Sequence, residues 1–142
     1  MTQEDKDLLL KDLCARLPYG VKVAFFNEEL TYHSEPKTLT GIECINNLNY
    51  SSLEDEDGNT TIVEFVKPYL FPLSSMTDEQ KKKYNWLKHS VFVCHYEYGD
   101  VEEEIELYDS PESFEYLIEN HFDYRGLIEK GLAIDATDKN IY

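Results

Sequence analysis

Residues 91–108 constrain this chain most tightly, because one strand register separates most of their apolar side chains from most of the charged ones. Gly99-Asp100 reads as a two-residue turn of the primed type. Pairing outward from it sets Tyr98 opposite Val101, Tyr96 opposite Glu103, Cys94 opposite Ile105 and Phe92 opposite Leu107. That face is nearly all apolar. The other face carries Glu97 opposite Glu102, His95 opposite Glu104, and Val93 opposite Glu106. Side chains alternate along a strand, so a one-residue slip would turn the apolar set to solvent. The pattern predicts a hairpin with one buried and one acidic face.

The elements around the hairpin follow from local signals. Thr2 caps a first helix, with Asp5 three positions on, and Leu10, Leu13, Cys14 and Leu17 form its apolar stripe. Pro18 stops it and Tyr19-Gly20 turns the chain. Val21, Val23 and Phe25 alternate with Lys22, Ala24 and Phe26 as a strand, and a second strand spans 38–45. Asn46-Asn47 and the stronger Asp57-Gly58 read as turns, with strands over 48–53 and 60–66. Pro68 and Pro72 end this sheet within an extended apolar segment that runs across the core. Thr77, with Gln80, caps a second helix to about Lys88, whose Lys81, Lys82 and Lys83 spread over a solvated surface. Asp109 or Ser110 caps a third helix with Pro111 in its first turn and Phe114, Leu117, Ile118 and Phe122 as its buried stripe. Gly131 stops a short turn before Leu132-Ala133-Ile134. The sum is an α+β fold in a single domain, 1–142. It has an N-terminal helix, a small, strongly bent antiparallel sheet (an SH3-like barrel is one form), then a helix, a β-hairpin and a C-terminal helix.

Charge narrows the partners. Lys+Arg number 13 against 29 Asp+Glu, a formal net charge of −16. Such a surface repels nucleic acid and anionic lipid and suits a basic protein partner. Cys14, Cys44 and Cys94 are odd in number and far apart, which fits a reducing cytoplasm and no disulfide framework. The polar start of the chain is not a signal peptide, and no apolar run reaches the roughly 20 residues of a membrane span.

Two stretches are distinctive as strings: Lys67-Pro68-Tyr69-Leu70-Phe71-Pro72-Leu73-Ser74-Ser75-Met76-Thr77, and His121-Phe122-Asp123-Tyr124-Arg125-Gly126-Leu127-Ile128-Glu129-Lys130-Gly131-Leu132-Ala133. With the opening residues 4–13 and 17–23, they resemble an uncharacterised family of Bacteroides-group gut bacteria, their phages and integrated elements. The resemblance implies an intracellular accessory protein and supplies no catalytic residue.

No nucleophile with a base, carboxylate pair, metal cage or glycine-rich phosphate loop stands out, so no cofactor and no metal are expected. His95, Glu97 and Glu104 share a face but lack the close pairing of a zinc site. Two places remain. Glu97, Glu102, Glu104 and Glu106 form the acidic hairpin face, a candidate seat for a basic partner. Tyr69, His121, Asp123, Tyr124 and Arg125 gather a cation and polar groups, either as a small-ligand or catalytic site or as an internal ion pair that fixes the C-terminal turn. The leading expectation is a non-enzymatic acidic binding or regulatory protein, of phage or mobile-element origin, engaging a protein that handles nucleic acid. The alternatives are a ligand-binding or enzymatic domain at the second place, or a structural subunit of a larger particle.

Overall fold

The computed structural model describes residues 1–45, 50–88, 94–96, 99–101 and 111–142, with residues 45, 50, 94–96 and 99–101 described by their backbone alone. In chain order the elements are α1 (Gln3–Arg16), β1 (Lys22–Phe25), β2 (Lys37–Ile45), β3 (Tyr50–Asp55), β4 (Thr60–Thr61), β5 (Val66–Pro72) and α2 (Asp78–Lys88). They continue with β6 (Cys94–Tyr96), β7 (Gly99–Val101), α3 (Pro111–Glu119), β8 (Phe122–Asp123) and β9 (Ile134–Asp135). The chain forms two compact units, Met1–Ser75 with His121–Tyr142, and Met76–Asn120. The α+β class read from the sequence holds.

In the first unit, α1 starts where its cap predicts, with Thr2 Oγ1 accepting the Asp5 N–H at 3.1 Å. Glu4 and Asp5 lie in the first turn, where the helix dipole favours anions. The helix gives way to a 3-10 turn at Leu17–Tyr19, and Gly20 takes the left-handed φ of 69° that ends it. The buried face differs from the expected stripe. It holds Leu9, Leu10, Asp12, Leu13 and Arg16, whereas Cys14 is exposed. Spacings of three and four from Leu9 lead to Asp12, Leu13 and Arg16, so Cys14 falls at the edge of that face. The apolar pattern missed this because the charged residues enter the core as a pair.

The sheet runs β4-β3-β2-β1-β5-β8, with β9 also paired to β5. It is open and mixed rather than a closed SH3-like barrel: β1 and β5 are antiparallel, while β8 and β9 run parallel to β5. Parallel neighbours need a long crossover, and the chain between β5 and β8 supplies one. Pro68 and Pro72 do not end the sheet. β5 passes through both, with Pro68 opposite Val23 and Pro72 opposite Asp123. Each proline removes one donor only, and between them the Phe71 N–H reaches the His121 carbonyl at 2.8 Å. The strand expected over 60–66 shortens to β4, because Val63–Phe65 coils into a 3-10 turn and Val63 is buried.

The Asp57-Gly58 turn forms as expected. Gly58 sits at φ 82°, and the buried Asp55 carboxylate accepts the N–H groups of Asp57 and Asn59 at 3.0 and 2.9 Å. Asn46-Asn47 lies outside the described residues. One apolar core joins α1 to the sheet and to the C-terminal segment: Leu9, Leu13, Val23, Leu53, Leu70 and Leu127 have no exposed surface.

In the second unit, both halves of the expected capping box close on α2. Thr77 N–H donates to Gln80 Oε1 at 2.9 Å, and Gln80 N–H to Thr77 Oγ1 at 3.2 Å. Lys81, Lys82 and Lys83 are all exposed. In α3, Leu117 is buried and Ile118 half-buried, but Phe114 is exposed and Phe122 belongs to β8. The hairpin register also differs. Cys94 pairs with Val101, His95 with Asp100 and Tyr96 with Gly99, so Gly99 and Asp100 are strand residues rather than the turn. This lies four residues from the expected register. A Gly-Asp turn signal is a local preference, and strand pairing overrides it. Among the described residues, no helix is long and apolar enough to cross a membrane.

Candidate functional site

Between β1 and β2 the chain makes a tightly bonded, fully exposed loop, 27–33. Asn27 organises it. Its side-chain Oδ1 accepts the N–H groups of Thr31 and Tyr32 at 3.0 and 2.9 Å, and its Nδ2 donates to Thr31 Oγ1 at 3.0 Å. Its carbonyl accepts the Leu30 N–H, and its own N–H reaches the Tyr32 carbonyl, both at 3.0 Å. At the base, Phe26 and His33 form a β-bridge, and their rings lie 4.9 Å apart. The His33 Nδ1 is 2.8 Å from the Ser34 carbonyl. A carbonyl only accepts, so Nδ1 carries the proton there.

This scaffold holds two large apolar side chains in water. Leu30 is 53% and Tyr32 74% exposed, beside exposed Glu28 and Glu29. Leu30 also takes φ 57°, a left-handed conformation that costs a branched residue on the order of 1–2 kcal/mol. A strained, exposed apolar residue thus sits in a loop tied by five hydrogen bonds, which makes the loop a candidate site. The sequence carried one signal of it, an Asx residue four positions before a threonine, which the alternation of the flanking strands overshadowed.

The second place, around Tyr69, His121, Asp123, Tyr124 and Arg125, is assembled from distant segments. Arg16 is wholly buried; its Nε donates to Asp12 Oδ2 at 2.8 Å and its Nη2 to the Phe122 carbonyl at 2.6 Å. Arg125 Nε faces the other oxygen of Asp12, Oδ1, at 3.2 Å, without the alignment of a hydrogen bond. Both guanidinium groups lie over the Tyr124 ring, at 5.8 Å for Arg16 and 4.8 Å for Arg125. Asp123 is a cap: its two carboxylate oxygens accept the N–H groups of Leu127 and Ile128 at 2.9 Å each.

His121 stacks on Tyr142 at 4.0 Å, and its buried Nδ1 has no hydrogen-bond partner among the described residues. Burial first, and the Arg16 charge second, push its pKa down to about 4. Tyr69 enters through its backbone carbonyl, which accepts the Tyr142 hydroxyl at 2.7 Å. Burial pushes the Tyr142 phenol well up, and that of Tyr69 up as well. The structure therefore brings the five residues together with Asp12, Arg16 and Tyr142, three that sequence reasoning missed. Asp12 and Arg16 carried an i, i+4 charge pattern that reads as surface in any helix.

Glu97, Glu102, Glu104 and Glu106 lie outside the described residues. Among the described residues, no set of three or more His, Cys, Asp or Glu side chains is grouped to hold a metal ion. The chain matches no protein-family model, no curated protein and no solved structure.

Proposed function

We propose that this is a non-enzymatic binding or regulatory protein that engages a basic protein partner through loop 27–33. The supporting observation is the exposed pair Leu30 and Tyr32, held by Asn27 in a loop that also carries exposed Glu28 and Glu29. Apolar anchors with charge in the same loop give affinity from the anchors and orientation from the charge. A net charge of −16 steers basic surfaces toward it. Proteins that handle nucleic acid carry such surfaces, and the phage or mobile-element setting implied by the resemblance suits a regulator of one. The acidic hairpin residues Glu97, Glu102, Glu104 and Glu106 are a second contact region under the same reading. A ligand-binding or enzymatic site at Tyr69, His121, Asp123 and Arg125 has less support, because Arg125 faces Asp12, Asp123 is spent on two backbone amides and Tyr69 contributes its carbonyl.

The test is capture on immobilised protein at low salt, followed by affinity measurement on the recovered partner. Tyr32→Ala is expected to weaken binding about 10-fold or more, as a buried aromatic anchor does. Glu28→Lys with Glu29→Lys is expected to slow association and flatten its salt dependence. Unchanged affinity in both would remove the loop as the seat. Reversal of the four hairpin glutamates to lysine reports separately on that face.

A further inference from the structure

The first unit has a cavity of about 250 Å³ between α1 and β2, lined by Asp7, Leu10, Lys11, Cys14 and Cys44. Two of its five lining residues are thiols, and they come from different elements, one on the helix and one on the strand. Both cysteines are free and exposed. Leu10 is the buried floor, while Asp7 and Lys11 stand at the exposed rim.

We propose that Cys14 and Cys44 form a two-thiolate binding site for a soft monovalent cation, copper(I) being the ion whose chemistry it fits. Thiolates select soft metals, copper(I) among them. A closed-shell copper(I) ion is content with two ligands in line. Zinc in structural sites takes four, and no third or fourth His, Cys, Asp or Glu ligand is grouped here among the described residues. Binding replaces two S–H bonds by two Cu–S bonds and releases two protons to solvent; no electron moves. The product carries one net negative charge, in a lining where the Lys11 ammonium and the Asp7 carboxylate balance each other.

Burial and the neighbouring Cys44 both push the Cys14 thiol above its ordinary value. The ion binds the thiolate form, so its uptake displaces the thiol protons. The overall charge of −16 favours a cation at any exposed site, but only the thiols discriminate a soft one. This inference is independent of the binding role assigned to loop 27–33.

The experiment is a competition for copper(I) between the full-length reduced protein and a chromophoric copper(I) chelator, under reductant and without oxygen. Wild type is expected to withdraw one ion per chain and to release close to two protons for each. Loss of an outer-shell group costs about 10–100-fold in metal affinity, so loss of a ligand in Cys14→Ser or Cys44→Ser is expected to cost at least about 100-fold. Cys94→Ser serves as the control and is expected to bind as wild type does. Both serine variants replace exposed side chains, and circular dichroism verifies their fold. Retention of the ion by either variant, or its loss in Cys94→Ser, would overturn the assignment. So would failure of wild type to compete at all.

Discussion

His121 holds its backbone at φ 61° and its ring against Tyr142, with the side chain nearly enclosed. Its neutral form is the one the fold accepts, because burial and the Arg16 charge oppose a second proton. In the unfolded chain it titrates near 6.5, and in the folded protein near 4. Between those values the unfolded state binds the extra proton, so stability falls as pH drops through that window and levels off below it. The contribution is on the order of 2–3 kcal/mol after allowance for incomplete enclosure. His121→Asn keeps a residue that tolerates the left-handed backbone and removes the titration. Urea midpoints at pH 7 and near pH 4 should therefore drop less in the variant than in wild type. An equal drop in both would show that carboxylates alone set the acid response. Asp12 and Arg16 act at the same scale in a different way. Their pairing is wholly buried, and such pairs add little net stability but are costly to break on one side.

Among elements, the C-terminal turn depends on Asp123 more than on its apolar residues. The two carboxylate oxygens fix the Leu127 and Ile128 amides, and Leu127 then fills the core. Asp123→Ala should cost about 1–3 kcal/mol, the penalty for two stranded donors. It should also lower hydrogen-exchange protection at Leu127 and Ile128, while Asp123→Asn retains part of both. Unaltered protection in the alanine variant would count against the cap. Elements whose signals are local could be read from sequence. The Thr2–Asp5 and Thr77–Gln80 caps and the Asp57-Gly58 turn each lie within a few residues. β5 could not be read as central, since its partners β8 and β9 lie some 50–65 positions downstream and its prolines read as the end of the sheet. The same distance hid Asp12 and Arg16, whose burial depends on a carbonyl 106 positions away. Of the candidate site, Arg125 stood out as a cation in an acidic chain, flanked by Asp123 and Tyr124, but the contact that joins it to Asp12 of α1 is tertiary.

At the scale of the whole molecule, a charge of −16 acts against the compact state. The described surface ion pairs, such as Lys37–Asp57 at 2.9 Å and Lys6–Glu64 at 2.5 Å, are partly exposed and offset little of it. Salt screens both effects, shortening the Debye length from about 10 Å at 0.1 M to about 3 Å at 1 M. Repulsion among the excess carboxylates outnumbers the pairs, so Tm should rise by several degrees when sodium chloride is raised across that range. A flat or falling Tm would mean that the acidic groups are locally compensated. The outcome also bears on binding. A surface relieved by salt is one that a basic partner relieves too, which links stability to occupancy.

The Tyr142 hydroxyl has a consequence for how the sheet comes into being. β1 and β5 pair from Phe25–Val66 to Val23–Pro68. One step further, the Lys22 N–H and the Tyr69 carbonyl are joined through that phenol, at 2.9 and 2.7 Å. Lys22 leaves the ribosome 120 residues before the group that completes its hydrogen bond. The link from Lys22 to Tyr69 across this central seam can therefore close only after Tyr142 has been made, whatever the two strands have done before.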